Sequence, residues 1–207
     1  MATTNKRTQD ARRHEVRIIG GQWKRTRLAV VDKPGLRPTP DRVRETLFNW
    51  LASLAGASGG ELPGWHCVDA FAGTGALGFE AASRGAASVL LCEQDASLVA
   101  QMQALKTKLE AEAVRIERGN GVTALERAPA GSVHAVFLDP PFDSPQLYDS
   151  ALRAAVRALR PDGVVYLEAA RRWGGEELAP FGLAPYRLLK AGAVHAHLLI
   201  LASDSTA

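Results

Sequence analysis

Val68-Asp69-Ala70-Phe71-Ala72-Gly73-Thr74-Gly75-Ala76-Leu77-Gly78 is the stretch that decides how this chain folds. A short apolar run enters a glycine-rich turn, and Ala81, Ala82 and their neighbours carry it on as a helix. Gly73, Gly75 and Gly78 fit G-x-G-x-x-G, a pattern in which the backbone comes close to a nucleotide-like ligand and a helix N-terminus faces it. Farther along, Ser88-Val89-Leu90-Leu91-Cys92 reads as a second strand ending in Glu93, a carboxylate able to accept both hydroxyls of a ribose.

Dinucleotide-binding and S-adenosylmethionine-binding sheets share that much. Asp69 leans toward the second, because a carboxylate just before the loop suits a cationic sulfonium and amino group and repels a pyrophosphate. Bracing the loop or capping the helix is its plainer role.

The apolar run Val133 to Leu138 ends in Asp139-Pro140-Pro141-Phe142. The carboxyl ends of strands are where open α/β sheets bind ligands. Here they would carry an acceptor carboxylate, two residues without a backbone N–H and an aromatic ring, a set suited to a planar base bearing an amine. A strand end followed by a turn explains Asp-Pro-Pro equally well on its own.

The chain has 207 residues, 46% of them hydrophobic, enough for one full core and one main domain. Cys67 and Cys92 both fall in apolar strand candidates, with neither a disulfide framework nor metal-ligand spacing. No apolar segment is long enough to span a bilayer and Met1 to Glu15 is polar, so a cytoplasmic protein is expected.

Charge is uneven. Residues 1–50 hold 12 Lys or Arg against 5 Asp or Glu, a balance of +7, and the remainder is at −4, giving the net +3. A basic first quarter on a mildly acidic body reads as an electrostatic arm for a polyanion, or as solubilising surface. Within it, Arg17 to Leu28 looks like two short strands around Gly20-Gly21, with basic residues interleaved with Trp23.

The remaining pattern alternates. Pro40 to Leu54 is expected to be a helix with Val43, Leu47, Trp50, Leu51 and Leu54 on one face, and Asp95 to Leu109 a helix begun by Asp95. Val114 to Glu117 and Gly163 to Glu168 read as strands. A helix after Gly119-Asn120-Gly121 and another over Pro145 to Leu159 separate them. Ala184 to Lys190 and Val194 to Leu201 follow, the second as an antiparallel hairpin partner. Strands alternating with helices predict an α/β, mostly parallel, doubly wound sheet. Residues 1–13 and those after Ala202 are expected to be disordered.

Arg17-Ile18-Ile19-Gly20-Gly21-Gln22-Trp23, Gly35-Leu36-Arg37-Pro38-Thr39, Asp41-Arg42-Val43-Arg44-Glu45-Thr46-Leu47-Phe48-Asn49-Trp50-Leu51, the loop Asp69 to Gly78 and the motif Asp139 to Phe142 resemble the bacterial RsmD family. Its members are 16S rRNA guanine-N2 methyltransferases acting on the guanine numbered 966 in that RNA. The resemblance implies a class I S-adenosylmethionine-dependent methyltransferase fold, Rossmann-like and doubly wound with its last strand antiparallel, plus an N-terminal β-hairpin extension. It divides the chain into a basic tail (1–14), an RNA-binding hairpin and helix (15–55), the methyltransferase domain (56–202) and a short tail (203–207). It implies S-adenosylmethionine as cofactor, and as partner 16S rRNA within the small ribosomal subunit or its assembly intermediate. A monomer is the default.

By the same resemblance, Asp69, Phe71, Gly73, Gly75 and Glu93 surround the cofactor, with Asn120 near the adenine unless it is a plain turn residue. On the residues' own chemistry, Asp139 and the Pro140 carbonyl would accept the hydrogens of an exocyclic amine, and Phe142 would stack on the flipped base. Arg17, Lys24, Arg25 and Arg27 are the candidates for phosphate contact beside Trp23. Thr39 and Arg42 close over the cofactor or line the RNA entrance, or else serve as a cap and a surface ion pair. His195, His197, Trp65 and Trp173 read as sheet or packing residues, and Glu168 as a structural carboxylate. An adenine-N6 methyltransferase, a nucleotide-dependent oxidoreductase and a non-enzymatic RNA-binding module are the competing functional classes.

Overall fold

Period-two alternation in the apolar runs and period-3.6 patterning between them build a seven-stranded sheet covered by helices on both faces. The computed structural model describes residues 16–28, 39–57, 59–141 and 144–202. The expected disordered ends lie outside these residues, as do Gly35 to Pro38 and Phe142.

A hairpin of β1 (Val16–Arg17) and β2 (Arg27–Leu28) precedes α1 (Asp41–Leu54). Then come β3 (His66–Asp69), α2 (Ala76–Ser83), β4 (Ser88–Glu93), α3 (Ala96–Leu109), β5 (Val114–Arg118) and α4 (Gly121–Arg127). The chain continues through β6 (Val133–Leu138), α5 (Pro145–Ala158), β7 (Leu159–Ala169), α6 (Gly175–Leu178), β8 (Leu183–Ala191) and β9 (Val194–Leu201). The sheet order is β5-β4-β3-β6-β7-β9-β8. The strands from β5 to β7 run parallel, while β9 lies antiparallel to both β7 and β8 and sits between them. This is the topology the family resemblance implies. The order reverses beside β3, where such sheets place their ligands.

Alternation sorts the core into two layers. Cys67, Leu91, Ala135, Phe137, Val164, Tyr166 and Leu198 face the layer holding Leu47, Phe48 and Leu51 of α1 and Phe79 of α2. Val68, Val136, Leu138, Val165, Leu167 and Leu199 face the layer holding Leu125 of α4 and Ala151, Leu152 and Ala155 of α5. Both cysteines are buried and free, and burial pushes each thiol up to about 12.

The hairpin shares the first layer: Val16, Ile18 and Leu28 are buried in it. Buried Glu80 of α2 takes the backbone N–H of Ile19 (2.7 Å) on one oxygen and that of Gly20 (2.8 Å) on the other. It also pairs with Arg84 at 2.8 Å and with fully buried Arg44 at 3.8 Å. Arg44 in turn donates to the carbonyls of Thr39 and Arg17 and to Asp41, tying α1 to the hairpin.

Some boundaries differ from the sequence reading. On α1 the buried set is Val43, Arg44, Leu47, Phe48, Leu51 and Ala52, while Leu54 is 39% exposed. Strand β7 starts at Leu159 rather than Gly163, since Leu159 pairs with Val133 across an irregular register. Among the described residues no helix is long and apolar enough to cross a membrane.

Candidate active site

Four adjacent strands each end in an acid. In sheet order these are Glu93 (β4), Asp69 (β3), Asp139 (just after β6) and Glu168 (β7). Alternation carries them to one face: Asp69 pairs with Leu91 and Phe137, Phe137 pairs with Tyr166, and each of these partners lies two residues before the next acid. The row therefore runs along the carboxyl edge of the sheet on the side covered by α1 and α2. The neighbouring acids raise the pKa of Asp69 and Asp139, and a row of like charges favours a cationic ligand.

Asp69 is 2% exposed, and its Oδ2 accepts the Gly78 N–H at 3.1 Å. Burial pushes its carboxyl up to about 7. The Gly78 N–H opposes this, and Glu93 adds repulsion. A backbone hydrogen bond from Phe71 opposes the rise too, so the bracing role read from sequence is present. Gly73 and Gly75 take left-handed backbone (φ 52° and 78°), which bends the loop over this edge. A Cβ on Gly78 would sit 2.0 Å from Leu91 Cδ2, so the third glycine serves helix-on-strand packing. Phe71 is half-buried against the second core layer.

Glu93 spends one lone pair of each oxygen on the loop, taking the N–H of Gly73 (2.9 Å) and of Asp95 (2.8 Å). Hydroxyls have the remaining lone pairs. Asn120 caps α4, its Oδ1 accepting from Val122 (2.8 Å) and Thr123 (3.4 Å). The turn role is therefore filled, and its exposed amide nitrogen has no partner among the described residues.

Asp139 has no hydrogen-bond partner among the described residues. Burial holds its carboxyl well above the usual range, and Glu168 and then Asp69 reinforce this. Pro140 is buried, and its carbonyl likewise accepts nothing among the described residues. Glu168, set aside on sequence grounds, is buried at 3% exposure. Its Oε1 takes both the Thr39 hydroxyl (2.5 Å) and the Tyr166 hydroxyl (2.8 Å). Thr39 thus reaches the site across 129 positions, a contact no local pattern announces. Tyr148 of α5 also feels Asp139 and Glu168: burial first, then these acids, push its phenol up to about 12. Its ring stacks on Trp173 at 5.6 Å, and Arg171 lies over the Trp173 ring at 5.1 Å.

The basic residues of the hairpin line a cleft of their own. Arg17, Lys24 and Arg25 border a cleft of about 290 Å³ with Ile18, Ile19, Asp41 and Glu45. Arg17 is exposed and paired with Asp41 at 2.9 Å, while Lys24, Arg25, Arg27 and Arg42 are exposed. Trp23 is half-buried, its N–H donated to Ser83 Oγ at 3.0 Å. Another hollow, of about 370 Å³, opens at the amino ends of β3, β4 and β6, remote from the acid row.

The family model described as conserved hypothetical protein 95 matches residues 16–200. The Haemophilus influenzae protein named ribosomal RNA small subunit methyltransferase D is 39% identical over 163 residues, covering 76% of this chain and 80% of its own length. The chain belongs to the RsmD family. The Escherichia coli K12 protein of the same name is 47% identical over 129 residues, and that match spans only 61% of the relative and 62% of this chain. A solved Escherichia coli structure titled putative methyltransferase yhhF superposes with a TM-score of 0.74 at 35% identity, covering 92% of this chain and 99% of that one. This RsmD-family chain has the class I methyltransferase fold.

Proposed function

We propose that the protein methylates the exocyclic N2 amine of one guanine in 16S rRNA, presented by the small ribosomal subunit or its assembly intermediate in the cytoplasm. The observation that carries this reading is the acid row, in which the glycine loop after Asp69 stands beside an Asp139-Pro140 unpartnered among the described residues.

The row suits S-adenosylmethionine, which when bound supplies a methyl group already activated on a sulfonium. Asp69 supplies a carboxylate for a cation, Glu93 has lone pairs for two ribose hydroxyls, and Gly73 and Gly75 present bare backbone in the loop. Phe71 flanks it, and the Asn120 amide nitrogen is available to an adenine ring.

Guanine N2 is a poor nucleophile because its lone pair is delocalised into the ring. Asp139 and the Pro140 carbonyl each accept one amine hydrogen, which fixes the orientation of nitrogen and stabilises the positive charge it gains. The proton that nitrogen then loses passes to Asp139, whose raised pKa makes it a competent acceptor. Phe142 stacks on the flipped base. Arg17, Lys24, Arg25, Arg27 and Arg42 hold phosphates, with Trp23 beside them, so residues 15–55 act as the RNA-contacting extension of the 56–202 catalytic domain.

The test is methyl transfer from radiolabelled S-adenosylmethionine to small subunits lacking the modification, with the labelled nucleoside identified by mass. N2-methylguanosine is the expected product. Label on adenosine N6, or cofactor binding without transfer, overturns the substrate assignment.

A further inference from the structure

The mechanism above leaves one buried acid unused. Glu168 follows Leu167, and Asp139 follows Leu138, its register partner on the adjacent parallel strand. Neighbouring strands lie about 4.8 Å apart, so two carboxylates leaving the same edge on the same face can meet one small planar group. No cation pairs with Glu168 among the described residues. Instead, two hydroxyls from different parts of the chain converge on a single oxygen, Oε1. The other, Oε2, has no hydrogen-bond partner among the described residues. Holding the carboxylate by one oxygen fixes its orientation and leaves the other available to an arriving donor.

We propose that Glu168 selects guanine: its Oε2 accepts the N1–H of the base whose N2 amine meets Asp139. This rests on the guanine-N2 reading. Guanine presents N1–H and N2–H₂ side by side, three hydrogens for two acids and the Pro140 carbonyl. Adenine presents an amine next to the N1 lone pair, which a fixed carboxylate repels. A site built around a substrate N–H discriminates strongly against a base lacking it, because its own polar group is then left unpaired. The anchoring hydroxyls make the aim sharp. Thr39 Oγ and Tyr166 Oη both donate to Oε1; burial raises the Glu168 carboxyl above its ordinary range and these two bonds oppose that rise, while Asp139 has neither.

The competing role is purely structural: Glu168 as the anchor for Thr39 at the entry to α1. Glu168→Gln separates the two, since the amide keeps an acceptor for Thr39 and Tyr166 and puts an NH₂ where Oε2 was. Small subunits are reconstituted with guanine or with 2-aminopurine at the target position; 2-aminopurine keeps the 2-amine but presents N1 as an acceptor. The native protein should favour guanine by about 100-fold or more in kcat/KM, and Glu168→Gln should shrink that ratio at least about tenfold, with cofactor affinity and melting temperature near native. An unchanged ratio, even at reduced rate, overturns the proposal in favour of the structural anchor. Equal use of both bases by the native protein also overturns it, while leaving guanine-N2 methylation intact. Absence of N2 label on guanine itself fails the underlying reading instead. Should Glu168→Gln not fold, Tyr166→Phe is the second variant: it frees one bond to Oε1 and should lower the base ratio about threefold to tenfold, and an unaltered ratio there counts against the proposal.

Discussion

Gly21 lies against the carbonyl of Ser83 so closely that an added Cβ would sit 1.8 Å from its oxygen. Around that contact, Gln22 N–H donates to Ser83 O (2.8 Å), Trp23 N–H donates to Ser83 Oγ, and Ser83 Oγ donates to Gly20 O (2.6 Å). The hairpin is thus bolted to the end of α2, the helix that begins at the glycine loop. Gly21→Ala adds a steric clash to a left-handed φ of 74°, and should cost on the order of 2–4 kcal/mol of stability. Chemical denaturation would show this as a lower midpoint, and RNA affinity should fall with it while the cofactor still binds.

Asp139→Ala is expected to cut methyl transfer by about 10³-fold or more while cofactor affinity stays within about threefold. Single-turnover transfer and calorimetric binding measure the two effects separately. Near-native turnover would remove Asp139 from the chemistry.

Asp69 sets a pH dependence for cofactor binding. Its folded pKa of about 7 lies above the roughly 3.9 of an unfolded carboxyl, so between these values the folded chain holds a proton that the unfolded chain releases. Through this group the free protein is stabilised at low pH, and that contribution is lost as pH rises through about 7. A cationic ligand favours ionised Asp69, so its binding expels the proton. S-adenosylmethionine affinity should therefore rise from pH 5.5 to 7.5, and more steeply than that of S-adenosylhomocysteine, which lacks the sulfonium charge. Titration calorimetry at several pH values reads both slopes, and equal slopes would separate Asp69 from the sulfonium.

Lys24→Ala should weaken RNA binding about equally across sequences and reduce the slope of log affinity against log salt by roughly 0.7–0.9. Arg17→Ala is expected to have a smaller effect, because Asp41 already neutralises much of that charge. Filter binding over a range of salt concentrations distinguishes them.

The parts legible in the sequence were those with local signatures. The G-x-G-x-x-G turn, the strand-end acids Asp69, Glu93 and Asp139, the Asp95 cap and the Gly20-Gly21 hairpin each follow from neighbours a few positions apart. Contacts closed by the fold were not legible. Thr39 meets Glu168 only because the fold brings the entry to α1 against the end of β7, and neither residue has a local reason to find the other. Arg44 is not among the apolar residues that mark the face of its helix, yet it is fully buried, with Glu80, Asp41 and two carbonyls gathered around it. The start of β7 was hidden by Pro161, Asp162 and Gly163, turn residues that here lie within a strand.

The placement of β9 between β7 and β8 bears on how the chain folds as it is made. Synthesis proceeds from the N-terminus, yet β8 pairs with β9 and has no direct pairing to β7, so it cannot join the sheet until residues 194–201 have left the exit tunnel. The same late strand contributes Ala196 and Leu198 to the layer that buries Val16, Ile18 and Leu28. The earliest and latest described segments thus complete one core. Pairing between such distant segments slows folding, and once β7 has emerged its outer edge stays unpaired until residues 194–201 have followed, a natural point for chaperone capture.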